Sequence, residues 1–240
     1  MSVNDDPDHR EFRRCALAIP CALLIATLLS LATQQLAMRL FGAHVHELGH
    51  WAASVFTGHP AMPSIGITYT FERDTVTPVG LAAMLGFVLY QTLRRRFWDL
   101  SAALVVMLVL QAIGTLTLDE RSSWALIVWG GDGIGMVLAT MLMASFLYAG
   151  DAWPSWLRWL LLVIGAGTFA DIFVLWLRAS HHLGMPVGSD EADFVRLVRD
   201  YGWTQTMMVQ RYVATGFFCL MTLAPIYLWQ VHKAWKAYTE

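Results

Sequence analysis

Seven windows of the chain run long and almost without charge: residues 15–38, 41–58, 75–93, 100–118, 133–150, 159–177 and 212–231. A helix needs roughly 20 predominantly apolar residues to cross the hydrocarbon core of a bilayer, so the pattern predicts an all-α integral membrane protein. Two windows carry ionisable groups: Asp171 lies inside 159–177, and residues 41–58 hold several histidines and Glu47. Polar groups of that kind are costly in lipid and by default mark function. Between residues 58 and 78 the hydropathy falls, and residues 64–72 (SIGITYTFE) alternate at period two with β-branched and aromatic side chains. That alternation predicts a short strand, held against protein because a bare strand edge cannot face lipid. Residues 178–211, with Asp190, Glu191, Asp193, Arg196, Arg199 and Asp200, form the one long polar connection. They predict a loop with a short amphipathic surface helix.

Composition sharpens the picture. Of 240 residues, 57% are hydrophobic and 14% charged, and the mean hydropathy is +0.51; soluble domains run about 45–50% apolar and about 25% charged. The length fits a single polytopic membrane domain over residues 1–240, without an appended soluble catalytic unit. A net charge of −2 and a pI near 6.4 provide no basic field for nucleic acid. Cys15, Cys21 and Cys219 all lie in apolar stretches, as small hydrophobes rather than a disulfide framework. The charged start followed by the apolar run at 15–38 reads as a retained anchor rather than a cleaved signal. Eleven tryptophans, mostly near segment ends, suit an interfacial belt.

Residues 46–50 read His46-Glu47-Leu48-Gly49-His50, an H-E-x-x-H motif in an apolar helix. Positions i and i+4 lie about 40° apart around a helix, so both imidazoles leave one face and can share one Zn²⁺. Glu47 stands to one side, placed to deprotonate water held by the ion. Gly49 removes a side chain beside the metal. A catalytic zinc takes three protein ligands and leaves one position open. Asp132, in Gly130-Gly131-Asp132-Gly133, is the best third candidate, because the glycines allow another helix close by. It also reads as a helix N-cap, and the two roles are compatible.

On these two motifs the chain resembles the site-2 protease family of intramembrane zinc metalloproteases. The match rests on HELGH within a hydrophobic helix, followed further on by an aspartate in an Asp-Gly pair, and covers residues 41–149. The resemblance implies that His46 and His50 ligate zinc, that Glu47 is the general base and that Asp132 is the third ligand. It further implies hydrolysis of peptide bonds in transmembrane or signal-peptide-derived segments by a zinc-activated water, in a bacterial cytoplasmic membrane. The family's second motif is commonly Asn-Pro-Asp-Gly; here Gly130 and Gly131 replace Asn and Pro, and no PDZ-like domain accompanies the core.

Charge supports a six-span core of the kind the family uses. If residues 75–93, with Pro78, form a re-entrant or surface hairpin, ten of the sixteen Lys and Arg fall on one side. Among the remaining candidates, His44 lies about 200° from His46 around the helix and reads as a capping or supporting group. His59, in Gly58-His59-Pro60, belongs to a turn. Asp171 is open to a structural hydrogen bond or to a role in substrate or proton handling, with Arg178, His181 or His182 as partners; His181 and His182 themselves read as loop histidines. The alternative to a protease is a non-proteolytic, protease-like subunit of a larger membrane complex with partner membrane subunits. Haem ligation is a third reading, disfavoured because i,i+4 histidines on one helix suit a single small ion. Substrate-binding residues are not legible.

Overall fold

The computed structural model describes residues 7–33, 36–64, 66–148, 153–181 and 192–239. The elements run α1 (Pro7–Thr33), a π-helical turn (Met38–Gly42), α2 (Ala43–Phe56), β1 (Ala61–Ser64), β2 (Ile67–Thr70), α3 (Val76–Arg94), α4 (Trp98–Leu116), α5 (Glu120–Tyr148), α6 (Ser155–Ser180), α7 (Asp193–Arg199) and α8 (Gln205–Thr239). Six of these helices are long and apolar enough to cross a membrane: α1, α3, α4, α5, α6 and α8. The chain is therefore an all-α integral membrane protein, with one small two-stranded sheet among the described residues.

Residues 75–93, which the charge count sets aside, are among them. Residues 76–94 form one unbroken helix of 19 residues, about 28 Å at ~1.5 Å per residue, with no re-entrant break. Pro78 falls in its first turn, where a missing N–H leaves no helical bond unmade. α2 has 14 residues and continues the π-helical turn Met38–Gly42 without a break, so helix runs over residues 38–56, about 27 Å, close to the length of α3.

The contacts cluster into two compact units. The first comprises residues 1–45, 135–188 and 204–240, and packs α1, the later part of α5, α6 and α8. Met136, Ala139, Met143 and Phe146 recur along one buried face of α5. Gly165 of α6 meets that face, where a Cβ would lie 2.6 Å from the Ala139 carbonyl oxygen. Small residues allow such backbone approach, because helices in lipid associate by packing rather than by the hydrophobic effect. Trp176 stacks on Tyr212 of α8, ring centroids 4.2 Å apart, and the Tyr227 hydroxyl donates to the Ala16 carbonyl.

The second unit comprises residues 46–134 and 189–203. Most large apolar side chains of α3 and α4, among them Val79, Phe87, Tyr90, Val106, Leu110 and Ile113, are exposed. That surface is apolar enough to face lipid, as the sequence pattern implies. β1 and β2 pair antiparallel, Ala61 opposite Thr70 and Ser64 opposite Ile67, so the expected strand at 64–72 is the second arm of a hairpin. Alternation decides its faces: Thr68 and Thr70 turn inward while Ile67, Tyr69 and Phe71 are exposed. The Thr68 hydroxyl donates to the Glu47 carbonyl at 2.9 Å, and the Thr70 and Ser54 hydroxyls pair at 3.0 Å. β2 is thereby tied along α2.

One cation fastens the far end of α2. The Arg73 guanidinium donates to the carbonyls of Thr57 (2.9 Å), Leu118 (3.1 Å) and Gly114 (3.0 Å). Helix C-termini leave carbonyls without intrahelical partners, and Arg73 supplies donors for two of them together.

Candidate metal centre

His46 and His50 stand one turn apart on α2, as the i,i+4 spacing requires. Each ring is fixed by its Nδ1. His46 Nδ1–H donates to Asp132 Oδ1 at 2.9 Å, and His50 Nδ1–H donates to the Ile127 carbonyl at 2.7 Å. Both acceptors come from α5. With the proton held on Nδ1, each Nε2 presents a lone pair, and the two Nε2 atoms lie 3.0 Å apart.

A third acceptor joins them. Asp193 Oδ2, from the first residue of α7, lies 3.1 Å from His46 Nε2 and 3.0 Å from His50 Nε2. His46, His50 and Asp193 are the group of metal-ligating side chains that converges among the described residues. Two imidazole lone pairs and a carboxylate repel one another unless positive charge sits among them, supplied by a proton or a metal ion. With a proton in that place, burial opposes the ionisation of Asp193, yet hydrogen bonds from the charged His46 and His50 outweigh it and hold the carboxyl below the usual carboxylate range.

The glycines of α5 make room for this arrangement. A Cβ on Gly131 would run into His46 Cε1 and come within 2.5 Å of His50 Nε2 and 2.7 Å of His46 Nε2. One on Gly130 would lie 2.8 Å from Ala53 Cβ and 3.0 Å from the Gly49 carbonyl oxygen. The Gly130-Gly131 pair is therefore where α5 passes against α2, directly beside the imidazoles. Donor chemistry, ring tautomers and open space all suit a small divalent cation.

Glu47 is buried and lines, with His46 and His50, a cavity of about 590 Å³. β2 supplies one wall, Trp124 and Val128 of α5 another, and Asp193, Arg196 and Arg199 a third.

The sequence-predicted residues thus divide. His46, Glu47 and His50 share one site. Asp132 reaches it too, but its Oδ1 meets the Nδ1 side of His46 rather than the convergent Nε2 side. Asp193 is the residue that sequence reasoning missed: it stands 147 positions from His46 among several acids of one polar connection, and no spacing rule links them. Its place at the start of an amphipathic helix, with Arg196 and Arg199 following, is the only local signal.

The other candidates lie elsewhere. His44 is exposed. His59 is fully buried in the turn after α2, where its ring nitrogens meet the Thr57 hydroxyl (3.1 Å) and Glu120 (3.2 Å) and its face meets the edge of Trp124; it is a strut between α2 and α5. Asp171 is buried in the other unit and, with Arg14, lines an apolar cavity of about 520 Å³. His181 is exposed at the end of α6, and His182 lies outside the described residues. All three cysteines are free.

No family model matches this chain, and neither a curated protein nor a solved structure matches it.

Proposed function

We propose that this chain is a zinc-dependent intramembrane endopeptidase, similar in its chemistry to the site-2 proteases, acting on transmembrane or signal-peptide-derived segments in a bacterial cytoplasmic membrane. One observation carries the reading: two imidazoles locked as Nδ1–H tautomers aim their lone pairs at one point, with a carboxylate oxygen within 3.1 Å and Glu47 beside them. Bound there, zinc would lower the pKa of water toward about 7 and polarise a carbonyl.

The protein's own residues do the rest. Asp132 and the Ile127 carbonyl hold the rings in the ligating tautomer. Glu47 takes the proton of the attacking water and delivers it to the leaving amine, the task of a general base that later acts as acid. A substrate helix buries its carbonyls in its own hydrogen bonds and must be extended before attack. Among the described residues β2 pairs with a neighbour along one side only, and it lines the cavity from Ile67 to Phe71, which suits addition of an extended peptide.

The test is cleavage of a tagged transmembrane-segment peptide by the protein in proteoliposomes, with and without chelator. Glu47→Gln should keep about one zinc per chain and lose activity by about 10²–10⁴-fold. Cleavage retained in Glu47→Gln, or unaffected by complete removal of metal, rejects the mechanism.

A further inference from the structure

We infer that Asp193, and not Asp132, is the third metal ligand, and that metal occupancy and docking of α7 are therefore one equilibrium. The inference rests on the metal reading above and adds a regulated element to it. An imidazole binds metal through one nitrogen and is oriented through the other. At His46 those duties are already divided: Nδ1 is held by Asp132 at 2.9 Å, while Nε2 faces Asp193 at 3.1 Å. His50 follows the same rule, Nδ1 to the Ile127 carbonyl and Nε2 to Asp193 at 3.0 Å. Asp193 Oδ2 is the carboxylate oxygen that reaches both Nε2 atoms. Asp132 is a positioning residue, whose loss weakens metal binding without removing a ligand.

The consequence follows from where Asp193 sits in the chain. His46 and His50 belong to α2, packed against α5, whereas Asp193 opens a helix of seven residues in the connection between α6 and α8. A helix so short has little stability of its own and depends on what anchors it. Leu197 is its fully buried side chain, the Trp203 N–H folds the segment back onto the Leu197 carbonyl at 3.1 Å, and the Arg121 guanidinium of α5 reaches the Asp200 carbonyl at 3.5 Å. A metal held by α2 and α7 together stabilises the docked state by mass action, and docking in turn raises metal affinity. Arg196 and Arg199 of α7 line the same cavity, so release of α7 removes a ligand and opens a wall in a single step.

The same two arginines provide the readout. In the full-length protein in detergent, zinc should slow trypsin cleavage after Arg196 and Arg199 at least tenfold, and chelation should restore it. Asp193→Asn should lose both the zinc and the protection. Asp132→Asn should keep one zinc per chain at saturation, with affinity down about 10–100-fold, and regain protection there. A positive signal guards against variants that merely misfold: cobalt-loaded Asp193→Cys should show a thiolate-to-cobalt charge-transfer band, and Asp132→Cys should not.

Zinc bound by the wild type with no change at Arg196 and Arg199 overturns the coupling and leaves the metal reading intact. The band appearing in Asp132→Cys and not in Asp193→Cys overturns the ligand assignment. Wild-type protein that takes up no zinc rejects the underlying reading and this inference with it.

Discussion

At the scale of single residues, the site depends as much on a missing side chain as on those present. Gly131 leaves the space in which two imidazoles meet, and a methyl group there collides with both rings. Gly131→Ala should therefore abolish the proposed zinc binding and destabilise the protein by about 1–3 kcal/mol, the usual effect of overpacking a tight interface. Elemental analysis and thermal unfolding in detergent would show both effects; a variant that keeps its zinc would mean that α5 can move away from α2. The sequence made His46, Glu47 and His50 legible because one turn of helix encodes their geometry. It made Asp132 the third ligand and left Asp193 among the acids of the polar connection. Which face of His46 an acid meets is set by packing between distant segments, and local spacing carries no trace of it.

At the scale of elements, α2 is a short helix fixed at several points along its length. β2 holds it through Thr68 and Thr70, His59 braces its end against Glu120, and Arg73 gathers the carbonyls of Thr57, Gly114 and Leu118. Arg73→Met would leave three acceptors without their charged donor. Since a hydrogen bond to a charged group contributes about 1.5–3 kcal/mol, the loss should reach about 3 kcal/mol or more, read as a lowered unfolding temperature. Arg73→Lys should recover only part of it, because a compact ammonium cannot reproduce the planar fork of a guanidinium. A wild-type melting curve in Arg73→Met would show that water replaces the guanidinium freely. Strand pairing was half legible: period-two alternation at 64–72 announced β2, whereas Pro60 and Pro63 flank and interrupt β1 and hide it.

At the scale of the whole molecule, hydropathy located nearly every long helix, since a charge-free run of about 20 residues has few other uses. Charge counting set residues 75–93 aside as a re-entrant or surface hairpin, but backbone hydrogen bonds run through them as one helix to Arg94, while residues 38–56 are helical throughout as well. The polar connection was legible as such, and its amphipathic helix duly forms at Asp193–Arg199.

The Arg73 clamp has one more implication. Because a single guanidinium joins the ends of α2 and α4, and the bonds Asp74 N–H to Gly58 O and Phe71 N–H to Pro60 O lie just beside it, these amides should not fray independently. Hydrogen exchange should find residues 57–74 opening as one cooperative block with a common rate, and Arg73→Met should break that block into independently exchanging sites. The hairpin that walls the cavity would then open all at once or remain closed.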